Sequence, residues 1–95
     1  MVFEWDERKA SRNERRHGVR FVDAVGVFAD PHSVEFVDEA HTTESEIRYG
    51  ILGIIPLGMV YVCFTERSAD RVRIIHARRA EPWMVEEYEK QRKRI

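Results

Sequence analysis

The hydrophobic pattern near the start of the chain has helical spacing. Asp6 is placed to cap a helix through ERKASRNERRH, residues 7–17, which is polar on nearly every side and is stopped by Gly18. In FVDAVGVF, residues 21–28, apolar side chains recur at i, i+3, i+4 and i+7 and therefore share one side of a second helix. The ADP at residues 29–31 ends this segment. The pattern predicts two N-terminal helices.

After Pro31 the apolar residues alternate with polar ones, as they do in strands. Four segments have this pattern: SVEFV, EIRYGIL, MVYVCFT and VRIIHAR. The turns between them are short, which favours antiparallel neighbours. AEPWMVEEYEKQRKRI, residues 80–95, predicts a closing helix whose cations, up to Arg94, complement the helix dipole. We therefore expect one α+β domain over residues 1–95, with two N-terminal helices, a four-stranded, mainly antiparallel sheet, a C-terminal helix and one sheet face left uncovered.

The last predicted strand carries cations among its apolar residues, in the segment RVRIIHARRA at residues 71–80. Side chains alternate across an extended strand, so each face is expected to be partly apolar and partly basic. The predicted faces are Val72, Ile74, His76 and Arg78 on one side and Arg73, Ile75, Ala77 and Arg79 on the other. An uncovered sheet face is the natural place for such arginines.

Charge is unevenly distributed along this chain of 95 residues, whose formal net charge is only −1. Residues 21–60 hold seven acids and one base, whereas residues 61–80 hold five arginines and two acids. This separation favours an anionic partner at the arginine-rich part, although the two patches could equally neutralise each other. The sequence contains neither a membrane-spanning apolar run nor a secretory signal, so we expect a cytoplasmic protein with no membrane partner.

The sequence favours phosphate chemistry over metal or nucleotide-cofactor chemistry. The four histidines have no metal-ligand spacing, and the single cysteine, Cys63, is interpreted as a small buried thiol, so no metal or cofactor is expected. Metal-free RNA cleavage needs a proton acceptor for the 2′-hydroxyl, a proton donor for the 5′-oxygen and cations around the phosphate. Arginine suits the last task because its planar guanidinium binds phosphate through two hydrogen bonds at once.

Three segments could carry this chemistry, and each has a structural alternative. His76 and Arg78, about 6.6 Å apart on one strand face, could act as acid and phosphate clamp, or His76 could be a satisfied residue at a strand edge. The segment TERSADR could belong to a site or form a salt-bridged turn. In HTTESEIR, Glu46 and Arg48 could pair or act, and His41 could be an exposed loop residue.

Several motifs together resemble the BrnT toxin family. They are FEWDERKASRNERRHGVRFVDAVGVFADP at the start, EIR and LG in the middle, TER and RIIHARRA further on, and a closing E..Y. The resemblance implies a RelE-like fold and a metal-free endoribonuclease that blocks translation. It also implies a hetero-oligomer with a small BrnA-like ribbon-helix-helix antitoxin, through which alone operator DNA would be bound. Arg16 stands where the family commonly has lysine, and His76 where it commonly has serine.

The resemblance also implies which residues form the site, because E-x-R, T-E-R and R-I-I-x-A-R are family motifs. The implied catalytic residues are the phosphate-binding Arg67, Arg73 and Arg78 and the proton-transfer candidates His41, Glu46 and Glu66. The same motifs imply Arg48 and Thr65 as substrate-binding residues, and His76 and Arg79 of the last predicted strand are expected to bind substrate as well. The alternative function is a non-enzymatic module whose arginines bind an acidic partner within a DNA-binding repressor complex.

Overall fold

The computed structural model describes residues 1–93, which form three α-helices, a 3₁₀ helix and five strands. We number them β1 (Val2–Glu4), α1 (Glu7–His17), α2 (Phe21–Ala24), β2 (Val34–Val37), β3 (Tyr49–Ile55), β4 (Gly58–Ser68), β5 (Arg71–Arg79) and α3 (Pro82–Lys93), with the 3₁₀ helix at Val25–Ala29. Arg94, expected at the end of the last helix, lies outside the described residues. Within residues 1–93, none of the helices is long and apolar enough to cross a membrane.

The sheet has five strands rather than the four predicted, in the order β1-β5-β4-β3-β2. β1 runs parallel to β5, pairing Val2 with Arg71 and Glu4 with Arg73, whereas the other neighbouring strands are antiparallel. The sheet is therefore mixed, and the four-stranded prediction was wrong. β1 was missed because an edge strand of three residues is too short to have a recognisable alternating pattern.

Helix α1 forms as predicted, between two local capping signals. The Asp6 carboxylate accepts hydrogen bonds from the N–H groups of Arg8 and Lys9 at 2.8 and 3.1 Å. Gly18 ends the helix at a φ of 69°, a left-handed conformation that glycine adopts without strain. The second predicted helix differs, because only Phe21–Ala24 is α-helical and the chain continues as the 3₁₀ helix. Gly26 and its β-branched neighbours are poor α-helix formers, which favours the shorter α segment.

Helices cover both faces of the sheet, not one as expected. On the first face, α1, α2 and the 3₁₀ helix enclose the larger core around Phe64. On the second face, Met84 and Tyr88 of α3 pack against Leu52 and Tyr61. Because α3 lies over the β3 side of this second face, the side chains that β5 presents there remain partly exposed.

A β-bulge in β5 changes the faces that simple alternation predicts. Cys63 of β4 lies opposite His76, but the next residue, Phe64, lies opposite Ile74, so Ile75 is an extra residue. Beyond the bulge the alternation is shifted by one position. The second face therefore receives Arg73, His76 and Arg78, and the first face receives Val72, Ile74, Ala77 and Arg79, which corrects the predicted grouping.

Candidate functional site

Asn13 fastens helix α1 to the edge of β5. β1 pairs only with residues 71–73, so the edge of β5 beyond that point has backbone groups without a strand partner. The buried Asn13 side chain acts as a partner for this edge, because its Oδ1 accepts a hydrogen bond from the Ala77 N–H at 3.0 Å. Its Nδ2 donates to the carbonyl oxygens of Ala77 and Val19 at 2.8 and 3.0 Å. One face of α1 is thereby held beside the C-terminal half of β5.

This arrangement creates a cationic groove between α1, β5 and the loop that follows β2. Positions 9, 12, 13, 16 and 17 of α1 are spaced i, i+3, i+4, i+7 and i+8, so their side chains share one face. The groove has a volume of about 440 Å³ and is lined by Lys9, Arg12, Asn13, Arg16, His17, His41, Ile75, His76 and Arg78. Four of these residues are permanent cations, three are histidines and none is acidic. Such a surface attracts a polyanion.

His41 is a half-exposed groove residue that a buried carboxylate orients. Its Nδ1 lies 2.9 Å from Oδ2 of Asp38, which also accepts a hydrogen bond from the Tyr61 hydroxyl. Burial raises the pKa of Asp38, but the hydrogen bonds from Tyr61 and His41 outweigh this effect and leave the pKa below its usual value. An ionised carboxylate only accepts hydrogen bonds, so Nδ1 of His41 carries a proton and Nε2 of the neutral ring is free to take one.

His76 stands beside His41 as a neutral imidazole. The centres of the two rings are 5.1 Å apart in an edge-to-face arrangement. Burial lowers the pKa of His76 to about 4, and the electrostatic effects of the neighbouring His41 and Arg78 side chains act in the same direction. Its Nε2 atom is buried and, among residues 1–93, has no hydrogen-bond partner. An uncharged ring at neutral pH disfavours a role for His76 as proton donor.

Arg78 is held at the groove by contacts with two residues. Its Nη1 donates to Oε1 of Glu81 at 2.6 Å, and its guanidinium carbon lies 5.1 Å from the centre of the Tyr61 ring in a cation–π arrangement. The Glu81 side chain is half exposed. Because an exposed ion pair contributes little stability, a phosphate that enters the groove can compete with Glu81 for the guanidinium.

Glu46, Arg48 and Arg67 form a separate ion-pair cluster. Arg48 Nε lies 2.7 Å from Oε1 of Glu46, and Arg67 Nη1 lies 3.7 Å from Oε2 of the same carboxylate. Thr65 is buried nearby, and its hydroxyl donates to the carbonyl oxygen of Ile47 at 2.9 Å. A second cleft, which shares no residue with the groove, is lined in part by Glu46, Thr65, Glu66 and Arg67.

Arg73 and Arg79, two further predicted site residues, lie outside both the groove and the second cleft. Arg73 donates to Oε2 of Glu4 at 2.8 Å. Arg79 is on the first face of the sheet and donates to a backbone carbonyl oxygen 3.3 Å away. Arg67, Arg73 and Arg78, the three expected phosphate-binding arginines, are therefore each paired with a different carboxylate. The structure does not bring these three guanidinium groups into one clamp.

The groove residues on α1 were missed by the sequence analysis. The overall polarity of residues 7–17 predicts only a helix that is polar on nearly every side, without a role for Lys9, Arg12, Arg16 or His17. Their i, i+3, i+7, i+8 spacing is the signal that could have found them, because it predicts a continuous basic stripe on one helix face. Asp38 had no such signal, since its importance comes from contacts with distant residues.

Four groups that can bind a metal also converge at the groove. A carboxylate oxygen of Asp38, one imidazole nitrogen each of His41 and His76, and Sγ of Cys63 all lie within 4.8 Å of one another. Cys63 is fully buried, as predicted, and lies opposite His76 in the sheet. Sequence spacing gave no sign of this cluster because its members come from three separate segments of the chain. The lack of a metal-ligand motif therefore does not exclude a metal site.

The fold and the groove together define a small α+β protein with a basic groove beside its sheet. A family model described as "Ribonuclease toxin, BrnT, of type II toxin-antitoxin system" matches residues 5–82, and the chain belongs to this family, as its motifs indicated. The chain is also similar in fold to the crystal structure of the ribonuclease toxin BrnT from Brucella abortus. That comparison has a TM-score of 0.65 and 24% identity and covers 85% of this chain and 99% of that chain. None of the curated proteins matches the chain.

Proposed function

We propose that this protein is a metal-independent endoribonuclease whose RNA substrate binds in the groove between α1 and β5. The observation that carries the proposal is the composition of the groove, where four permanent cations and three histidines occur without an acidic residue among the lining side chains. RNA presents closely spaced phosphates, which arginine and lysine bind without reading the base sequence. Membership of a family of ribonuclease toxins supports the same reaction.

In the proposed reaction, His41 acts as general base. Its Nε2 accepts the proton of a 2′-hydroxyl, the 2′-oxygen attacks the adjacent phosphorus, and the bond from phosphorus to the 5′-oxygen breaks. The departing 5′-oxygen takes a proton from solvent, so the products are a 2′,3′-cyclic phosphate and a 5′-hydroxyl end. The Asp38 carboxylate, 2.9 Å from Nδ1, stabilises the imidazolium that forms on His41.

The arginines of the groove stabilise the phosphate as it gains negative charge. Arg12, Arg16 and Arg78 line the same groove as His41. A guanidinium that is in place before the reaction stabilises the transition state more than the ground state, because the phosphate becomes more negative as the 2′-oxygen attacks. Arg78 makes this contact by exchanging its exposed partner Glu81 for the phosphate.

The remaining predicted residues keep supporting roles in this proposal. The alternative proton-transfer groups are Glu46 and Glu66. His76 lines the groove and contacts RNA there, whereas the other predicted substrate contacts lie outside the groove and would touch only RNA that extends beyond it: Arg48, Thr65, Arg67, Arg73 and Arg79. Glu46 already pairs with two guanidinium groups, at 2.7 and 3.7 Å, and it lines the second cleft rather than the groove. His41, with one ring nitrogen free, is therefore favoured as the base.

Cleavage of a labelled RNA by the purified protein, free of any partner and in EDTA, tests this proposal. Arg78→Ala and His41→Ala are each expected to lower the cleavage rate about 100- to 1,000-fold, the range for loss of a phosphate-stabilising donor or a general base. Arg92→Ala is the control, because Arg92 is an exposed arginine of α3 that pairs with Glu89 outside the groove. An inactive wild-type protein, or equal rates for all three variants, would contradict the proposal.

Toxin function implies a partner that covers the groove. We expect a cytoplasmic hetero-oligomer with a BrnA-like ribbon-helix-helix antitoxin. The antitoxin would block access of RNA to the groove, so that translation continues, and it would also make the contact with operator DNA. An extended or helical acidic segment of that antitoxin would complement the groove cations. A structure of the complex with Arg78 and the α1 cations open to solvent would rule out direct occlusion. A free protein that is inert but forms this complex would favour the non-enzymatic alternative.

A further inference from the structure

The potential ligand atoms of Asp38, His41, Cys63 and His76 are slightly further apart than the ligand atoms of an occupied metal site. The two nitrogen atoms, one sulfur and one oxygen lie within 4.8 Å of one another. Tetrahedral zinc, with bonds of about 2.0–2.3 Å, places its ligand atoms about 3.3–3.7 Å apart, so the widest pair has to close by about 1 Å. His41 is half exposed in the loop between β2 and β3, so its side chain has room to rotate and adjust its distances to the other three groups.

Two features of the cluster favour a bound ion over a purely structural role. Nε2 of His76 is buried and lacks a hydrogen-bond partner within the described chain, which leaves a buried polar atom that a metal would satisfy. Asp38 is already oriented, because its carboxylate accepts a hydrogen bond from the Tyr61 hydroxyl. Ligands of zinc sites are commonly fixed in this way by a neighbouring hydrogen-bonding group.

We propose that Asp38, His41, Cys63 and His76 bind one zinc ion in the wall of the groove. A thiolate and two imidazoles select zinc over magnesium and calcium, which prefer sites made of oxygen atoms. Burial, and then the neighbouring Asp38 carboxylate, raises the pKa of Cys63 to about 12, so the free thiol is protonated. Binding therefore replaces the S–H bond by a Zn–S bond and releases one proton to solvent, with no change in oxidation state.

Zinc at this position would also control the proposed nuclease. The ion would engage His41, the general base, and His76, and would therefore inhibit RNA cleavage. This consequence rests on the proposed function, whereas zinc binding itself does not. Failure of the zinc site can be distinguished from failure of the proposed nuclease function, because metal binding is measured in the absence of RNA and cleavage is measured in EDTA.

Metal binding is tested on the full-length protein after removal of metal with a chelator, with Co²⁺ as a spectroscopic probe. We expect the visible absorption of tetrahedral cobalt, a thiolate-to-cobalt charge-transfer band, and displacement of cobalt by one equivalent of Zn²⁺. Cys63→Ser should abolish the charge-transfer band, and His41→Ala should weaken zinc binding about 100-fold or more. His32→Gln is the control, because His32 lies outside the cluster and its replacement should leave the affinity unchanged.

A second variant covers the risk that replacement of the buried Cys63 impairs folding. Tyr61→Phe keeps the packed ring but removes the hydroxyl that orients Asp38, and we expect it to weaken zinc binding about 10- to 100-fold. Wild-type protein that binds less than one equivalent of either metal would overturn the zinc site. Equal zinc affinities for wild type, His41→Ala and Tyr61→Phe would also overturn it. Neither result would bear on the proposed nuclease, because cleavage of RNA by the wild-type protein is measured separately, in EDTA.

Discussion

Replacement of Asn13 by alanine tests whether one buried side chain positions helix α1 against β5. Asn13 makes three hydrogen bonds, two to the backbone of Ala77 and one to the carbonyl oxygen of Val19, and the residue is 6% exposed. A hydrogen bond contributes about 0.5–1.5 kcal/mol net, and a buried group left without a partner costs about 1–3 kcal/mol. We therefore expect Asn13→Ala to lower the free energy of unfolding by about 2–4 kcal/mol, a large share of the roughly 5–15 kcal/mol typical of a domain.

Urea unfolding followed by circular dichroism measures this loss. Ser11→Ala is the control, because Ser11 is exposed on the same helix and its replacement should change the stability by no more than about 0.5 kcal/mol. RNA cleavage by Asn13→Ala should fall further than the folded fraction does, since the cations of α1 are no longer fixed beside Arg78. A loss of stability below about 1 kcal/mol would refute the reasoning, because other contacts would then hold α1 in place.

Two further predictions concern the packing and the pH dependence of the fold. A Cβ at Gly50 would overlap the Tyr61 ring and lie 2.9 Å from Phe36. Gly50→Ala should therefore lower the free energy of unfolding in urea by about 1–3 kcal/mol. An unchanged free energy would mean that the Tyr61 ring can move aside. Burial raises the pKa of Asp30, but hydrogen bonds from two backbone N–H groups and the Tyr88 hydroxyl hold it below its usual value. Its stabilisation is therefore present above about pH 4 and lost as the pH falls through the folded-state pKa. Asp30→Asn should make the unfolding free energy less dependent on pH in that acidic range, and an unchanged pH profile would contradict this.

Elements with strong local signals were predicted correctly. Helix α1 lies between Asp6, which caps its first turn, and Gly18, which ends it, and both signals involve residues close in sequence. The strands β2, β4 and β5 follow runs of alternating residues, although β3 begins only at Tyr49 and β4 continues to Ser68. β1 has no comparable local signal, because its three residues are held by pairing with β5 at the other end of the chain.

The faces of β5 could not be predicted from alternation alone. The extra residue, Ile75, is recognisable only from the pairing of β5 with Cys63 and Phe64 on β4. A shift of one position moves every later side chain to the other face of a sheet. This shift separates Arg73 from Arg79 and places Arg73 on the face that carries His76 and Arg78. Beyond the extra residue, the backbone of Ala77 binds Asn13.

The candidate site was predicted in part. His41, His76 and Arg78 meet in one groove, whereas Glu46, Thr65, Glu66 and Arg67 border a different cleft. The basic stripe of α1 is readable from its spacing, but its position opposite β5 depends on the tertiary hydrogen bonds of one asparagine. The cluster of Asp38, His41, Cys63 and His76 is less predictable still, because no two of its members share a strand or a helix.

The groove is tested most directly by single-turnover cleavage of one labelled RNA by two neighbouring variants of α1, Arg16→Ala and Arg15→Ala. Both remove an exposed arginine from the same helix turn, but only Arg16 lines the groove. If RNA is bound there, Arg16→Ala lowers the cleavage rate and reduces the salt dependence of binding by about one phosphate contact, whereas Arg15→Ala cleaves at the wild-type rate. Equal rates for the two variants, or a greater loss for Arg15→Ala, would contradict binding of RNA in this groove.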